Sequence, residues 1–402
     1  MIAEHPASLR VALVTGGLKL GGSTTFLINL AGELVRRNIP VEVLSFEREN
    51  PMATDFQRLK VPVLRLDDHR MIYEDRLETF LRRLKEFQPT VVIANLGPAA
   101  FEVLRYMPSG VFRVGVGHSS DEPVYRMLRR YATYMDALVV VSKEMKRRAS
   151  SMPEFAEAPV HYLAHGVPMP LESELPKRDF TNPMRVLYLG RLEREQKRVH
   201  LFPQIFADLK SSGIPFHWTI AGDGSERTAL ERDMKSSPGQ IVSFTGPVTY
   251  AQVPEILNAH DVCLLTSDYE GFGLTVLEAM GYGLVPIASD LPAGIPEMVD
   301  TTTGILVDVN DVAGYARGII HLHEHRDELA AKSAAARERV KTEFSVAAMT
   351  NRWLSIFPQN AAVIGEWPAR WNIRAPLPAR QPVYYSPPLR VLRRLAAKCF
   401  KG

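Results

Sequence analysis

Apolar residues in this chain gather in short runs, and between the runs apolar positions return with a helical period. One series of runs covers 9–15, 40–45, 90–95, 111–119, 136–142 and 160–163. A second covers 185–190, 218–224, 241–246, 261–266, 284–288 and the end of 296–307. Runs of this length closed by small or polar residues predict buried strands, whereas the segment after the 16–24 loop through about Arg37, 76–87 and a segment with Tyr125, Leu128 and Tyr131 on one face predict helices. Alternation of the two predicts an α/β protein with parallel, doubly wound sheets, which bind ligands beyond the carboxyl ends of their strands. Between the two series, 168–183 holds four prolines and no period, and reads as a connector. The expected organisation is an N-terminal domain at 1–167, a linker at 168–183, a second domain at 184–343 and a closing segment at 344–402.

Composition narrows the function classes. With 402 residues, 46% hydrophobic and 23% charged, the chain can build two or three sizeable cores. A net charge of +3 gives no argument for a nucleic-acid partner. Two cysteines, Cys263 and Cys399, have no metal-ligand spacing and suggest a reducing compartment. No zinc motif, transmembrane-length apolar run or secretory start is present, so the expected location is the cytoplasm and the expected metal is none.

The stretch 267–289 carries the most specific chemistry. It joins a predicted strand at 261–266 to another at 284–288, and Leu274, Val276, Leu277 and Met280 have near-helical spacing. The motif therefore opens a helix between two parallel strands, with Glu270 in the loop before it and Glu278 about two turns into it. Gly271 and Gly273 let backbone N–H groups approach a ligand, and a helix start behind them favours an anion. A carboxylate beside an anion site suits a neutral, hydroxyl-bearing group such as a sugar. Alone, either Glu would read as a solvated helix residue.

The whole string, two Glu separated by seven residues around Gly-Phe-Gly, strongly resembles the E-x7-E region of retaining nucleotide-sugar glycosyltransferases of family 4, which have the GT-B architecture. That resemblance covers roughly 8–357 and is thinnest at 47–88. It implies two Rossmann-like domains facing a cleft, with the last helix crossing back to the first domain and the tail packing there. It implies that Glu270 lies near the donor sugar, that Glu278 binds the ribose, and that Gly271, Phe272, Gly273, Leu274 and Thr275 present backbone to the phosphates. Arg191 and Lys197, in a loop directly after a strand, resemble the family's pyrophosphate-binding pair. Their spacing is one residue longer than the commonest form and Arg198 stands where Gly is frequent, so Arg194 or Arg198 are alternatives to Lys197. As isolated residues these would be solvated cations; facing a diphosphate, they supply charge where the leaving group develops it.

In the first half, two Gly pairs flank Leu18, Lys19 and Leu20, and Ser23 or Thr24 is suited to cap the helix that follows. By resemblance, Gly21 and Gly22 face the donor phosphates; otherwise this is a plain strand-to-helix turn. The glycines do not form a dinucleotide fingerprint, which counts against NAD. His118 ends its strand at the ligand edge, where the resemblance implies a catalytic or positioning role and a single His alone reads as structural. Ser119, Ser120 and Asp121 are weaker candidates for acceptor contact, and Gly166 reads as a backbone necessity. Phe244, Gly246 and Val248 are base-contact candidates through backbone, with the Phe244 side chain read as a core aromatic. The tail segment 389–401 suits either an interfacial helix on anionic lipid or a tail with a solvated basic face.

The expected function is transfer of a sugar, with retention and without a metal or cofactor, from a UDP- or GDP-linked donor to a hydroxyl of a glycan, glycolipid or cell-surface polysaccharide precursor. An epimerase on the same fold and a catalytically inactive nucleotide-sugar or glycan-binding protein are the alternatives. Base, sugar, acceptor and oligomeric state are not legible.

Overall fold

The computed structural model describes residues 9–373 apart from 20, 48–49, 67–70, 176–177, 179, 181–182, 237–239, 293 and 360–362. The tail segment 389–401 lies outside the described residues. The chain divides into two compact units, the second comprising Ser142–Glu144 and Ala164–Met349, and the first the remainder.

The first unit holds a seven-stranded parallel sheet in the order β3-β2-β1-β4-β5-β6-β7. Its strands are β1 (Val11–Thr15), β2 (Val41–Ser45), β3 (Val63–Arg65), β4 (Val91–Ala94), β5 (Phe112–Gly117), β6 (Ala137–Val140) and β7 (Val160–Tyr162). β1, β2, β4 and β6 are buried along their whole length, as expected for parallel strands covered on both faces. Trp353, near the end of the helix Val346–Ile356, packs its ring 5.6 Å from Phe26 within this unit.

The second unit holds a six-stranded parallel sheet in the order β10-β9-β8-β11-β12-β13. These strands are β8 (Met184–Leu189), β9 (Phe216–Ala221), β10 (Gln240–Gly246), β11 (Val262–Leu265), β12 (Val285–Ser289) and β13 (Ile305–Val307). Trp218, Phe202, Phe216 and Tyr315 fill its core without exposure. Strand order reverses at β1/β4 in one sheet and at β8/β11 in the other. Loops leaving adjacent strands at such a point diverge to opposite faces and open a crevice. At the amino end of the second reversal, fully buried Asp261 accepts from Arg185 Nε at 2.9 Å and Nη2 at 2.6 Å, which ties β11 to β8 far from that crevice. Cys263 in β11 is buried, and its thiol is pushed up to about 12. Among the described residues no helix is long and apolar enough to cross a membrane.

Three expectations are corrected. The helix Gly22–Arg36 is capped by Gly21, whose carbonyl accepts from Thr24 and Thr25, and by neither Ser23 nor Thr24. Periodicity predicts nothing at 53–65, where a six-residue helix (Ala53–Arg58) and the three-residue β3 are too short to show a period. The central helix begins only at Leu274, because Gly273 at φ +94 holds the chain in the left-handed region. Glu278 is thus its fifth residue, little more than one turn in.

Gly222 shows how closely the strand ends approach one another. It sits at φ +142, donates to Gly246 O at 2.9 Å, and a Cβ there would lie 1.8 Å from Gly190 O. Gly213, at φ +76, would meet nothing within 4 Å. Gly213→Ala is expected to cost about 1 kcal/mol, the conformational term alone. Gly222→Ala should cost more than about 2 kcal/mol, since the backbone at Gly190, just past β8, must also move. Urea unfolding of the two variants checks the difference.

Candidate functional site

In the second unit, the loops leaving β8 and β11 flank the strand reversal, and hydrogen bonds join them. Asp268 N donates to Gln196 O at 2.8 Å, Thr266 Oγ1 to Lys197 O at 2.7 Å, and Gln196 Nε2 to Tyr269 O at 3.2 Å. The charged contact is Lys197 Nζ to Glu270 Oε1 at 2.6 Å, with both side chains largely buried. Ser267 Oγ also donates to Glu270 Oε1, at 2.6 Å. Oε1 is therefore occupied, while Oε2 has no partner among the described residues. An ammonium has three donors, so Lys197 keeps two for another ligand. Lys197 and Glu270, expected on phosphate and sugar respectively, are brought into direct contact.

Arg191 lies on the same loop and is well exposed. Its Nη1 donates to Glu193 Oε1 at 2.6 Å and its Nη2 to Gln196 Oε1 at 2.7 Å. The guanidinium still has Nε–H and one further N–H on each Nη. The two alternatives to Lys197 turn elsewhere: Arg194 pairs with Glu226 at 3.7 Å, and Arg198 Nη1 donates to Val309 O at 2.6 Å. Arg198 has φ +50, which explains physically why glycine suits that position.

Beyond Glu270 the chain turns into the helix Leu274–Gly281. The backbone N–H groups of Gly271, Phe272, Gly273, Leu274 and Thr275 have no acceptor among the described residues. Unpaired amides at a helix start form an anion site. Phe272 contributes backbone only: its buried ring stands edge-on to His165 at 5.6 Å and near Phe344 at 6.1 Å. Gly273 is favoured by its φ of +94, and a Cβ there would also lie 2.5 Å from the terminal Cδ1 of Ile295, which would have to turn aside. On the helix, the Glu278 carboxylate has no hydrogen bond or ion pair with a described residue. Burial alone pushes its pKa up to about 7. A half-buried carboxylate without a protein partner is costly to keep charged, and two ligand hydroxyls would relieve that cost.

At β10, the half-buried Phe244 ring packs on the core, and Val248 packs on a smaller apolar cluster. Gly246, at φ +77, offers backbone beside Arg227. Gly166 is packed so tightly that a Cβ would lie 2.6 Å from Ser345 O, which bears out a backbone necessity.

In the first unit, Gly21 is exposed with open space around its Cα, and Gly22 begins the helix Gly22–Arg36. The loop between is braced from behind: Asn50 Oδ1 accepts from Leu18 N at 3.0 Å, and Gly16 N donates to Leu96 O at 2.5 Å. His118 follows β5, its Nε2 against Asn95 Oδ1 and its ring 5.4 Å from Phe26. Burial lowers its pKa to about 4, so the imidazole is neutral at physiological pH. Ser119 bonds Asp121 at 2.5 Å, and Asp121 precedes the helix Glu122–Tyr131.

Sequence reasoning missed Asn95, Glu193, Gln196 and Ser267. Each lies just past a strand, where the fold rule places ligands, and that position was the available signal.

Two family models match this chain: Glycosyltransferase Family 4 over residues 20–169 and Glycosyl transferases group 1 over residues 183–325. A glycogen synthase of Mycobacterium tuberculosis is 27% identical over 212 residues, 52% of this chain and 50% of that protein. The chain thus spans about half the length of that relative. The lipopolysaccharide core biosynthesis glycosyltransferase LpsD of Rhizobium meliloti is 25% identical over 350 residues, 85% of this chain and 96% of that protein. Among solved structures, Anabaena HepE in complex with UDP superposes with a TM-score of 0.69 at 18% identity, covering 86% of this chain and 99% of that one, a likeness of fold. With family models over most of its length and two parallel Rossmann-like sheets, this chain belongs to the family 4, or group 1, glycosyltransferases of GT-B fold.

Proposed function

We propose that this chain transfers a sugar, with retention, from a nucleoside-diphosphate sugar to a hydroxyl of a glycan or glycolipid. The observation that carries the proposal is the pairing, on one loop and helix, of five unpaired backbone amides with a half-buried carboxylate that has no partner among the described residues. The amides at 271–275 suit the diphosphate, and Glu278 suits the ribose diol. Lys197 and Arg191 add positive charge toward the leaving phosphate, which lets charge develop there without a metal. Glu270, with Oε2 open, accepts from a sugar hydroxyl. The backbone around Gly246 and Val248 suits the base, and Gly21 and Gly22 the phosphates.

In the proposed reaction the bond from the anomeric carbon to the phosphate oxygen breaks and its electron pair leaves with the diphosphate. The acceptor oxygen bonds to the same face of that carbon, and its proton passes to the departing phosphate oxygen. His118, being neutral, acts as a hydrogen-bonding group toward a substrate hydroxyl rather than as a cation. The name of the Rhizobium meliloti relative supports a lipopolysaccharide-type acceptor. An epimerase and a binding protein without turnover are favoured by neither family model.

Release of UDP or GDP from a panel of nucleotide sugars tests the reading. One base should give turnover or donor hydrolysis, reduced at least about tenfold by Arg191→Ala, in keeping with loss of a charge-assisted contact to phosphate. A protein that neither binds nor cleaves any nucleotide sugar would contradict it.

Glu278 makes the reading testable by pH. Its pKa of about 7 lies above the ordinary 4.5, so folding disfavours the charged form. Its cost to stability is full above pH 7 and vanishes as pH falls from 7 to 4.5. Glu278→Gln should therefore raise stability at pH 8, by up to ~3 kcal/mol, and leave it unchanged at pH 4. The same variant should weaken nucleotide binding at pH 8. In the parent chain, affinity should fall below pH 7 by at most about tenfold per unit, and that slope should disappear in the variant. Thermal melts and calorimetric titrations at both pH values provide the check.

A further inference from the structure

We propose that Gln196 is a positioning residue that holds the Arg191 guanidinium ready for the donor diphosphate; this rests on the donor reading above. Gln196 bonds in three directions. Its Oε1 accepts from Arg191 Nη2 at 2.7 Å, its Nε2 donates to Tyr269 O at 3.2 Å, and its carbonyl accepts from Asp268 N at 2.8 Å. The backbone of Arg191 is held separately, by Tyr188 OH to Arg191 O at 2.6 Å, and its second terminal nitrogen by Glu193.

An arginine whose side chain is 63% exposed would ordinarily sample many rotamers, and ordering it on binding weakens affinity. Here the amide spans from the guanidinium to the loop that carries Glu270, so the fork is already oriented. An amide suits this task better than a carboxylate. It accepts without neutralising Arg191, which already faces Glu193, and it supplies the N–H that Tyr269 O receives. The extra residue between Arg191 and Lys197 lengthens the loop in which this amide sits.

The test measures UDP, GDP and the corresponding nucleosides binding to the parent chain, Gln196→Ala, Gln196→Glu, Arg191→Ala and the Arg191→Ala/Gln196→Ala double variant. Gln196→Ala should weaken the preferred diphosphate by about three- to tenfold and leave its nucleoside unchanged. Gln196→Glu should weaken the diphosphate further, because it adds negative charge and loses the bond to Tyr269. In the Arg191→Ala background, Gln196→Ala should have no further effect, since a positioning residue acts only through its partner. Additive losses in the double variant, equal losses for nucleoside and diphosphate, or parent-like binding by Gln196→Glu would overturn the inference and leave the donor reading standing. Absence of binding by the parent chain to every nucleotide would overturn both.

Discussion

Glu270 Oε1 receives Lys197 Nζ and Ser267 Oγ, each at 2.6 Å, and the arrangement of the second unit's ligand face depends on that junction. It ties the loop after β8 to the loop after β11, which leave adjacent strands at the point where strand order reverses. Without it, a cation and a carboxylate in separate loops would each be solvated and free to move. Joined, they leave one carboxylate oxygen and two ammonium hydrogens without a partner among the described residues, so that the pair offers opposite charges side by side. A sugar phosphate has the matching pair of functions, hydroxyls next to an anion.

This pairing accounts for the low resting charge of the face. Arg191 has Glu193, Arg194 has Glu226 and Lys197 has Glu270. Arg191, Arg194 and Lys197 each have a counter-ion before any ligand arrives, and Arg198 turns to the carbonyl of Val309, which limits self-repulsion in the empty state. The Arg191 and Arg194 pairs are exposed and individually weak, so an anion held also by backbone amides would compete with them, whereas the Lys197–Glu270 pair is largely buried. Glu278 is the exception, because its environment offers no counter-ion and burial alone acts on it.

Much of this was legible in the chain itself. Fully buried strands such as β1 and β4 read as unbroken apolar runs, and the Glu270–Glu278 string carried the family. Local rules failed where a distant contact decided the outcome. Nothing around Lys197 announces Glu270, and nothing around Arg198 announces Val309 O. The helix does start behind Gly273, but the depth of Glu278 in it was overestimated, because Gly273 holds a left-handed conformation and the first helical residue is Leu274. Gln196 escaped notice for a simpler reason: a polar residue in a charged loop looks solvated until the carbonyl of Tyr269 is placed beside it.

Cys263 gives the second sheet an unplanned chemical property. It sits in β11 just before the loop that bears Glu270, yet its thiol is buried and stays protonated at physiological pH. A protonated, inaccessible thiol is a poor nucleophile, so oxidants and alkylating agents can reach it only when the sheet separates. The native ligand face is thereby insulated from oxidative modification at this position, whereas a chain caught unfolded is exposed to covalent change in the strand that must refold at the centre of the sheet.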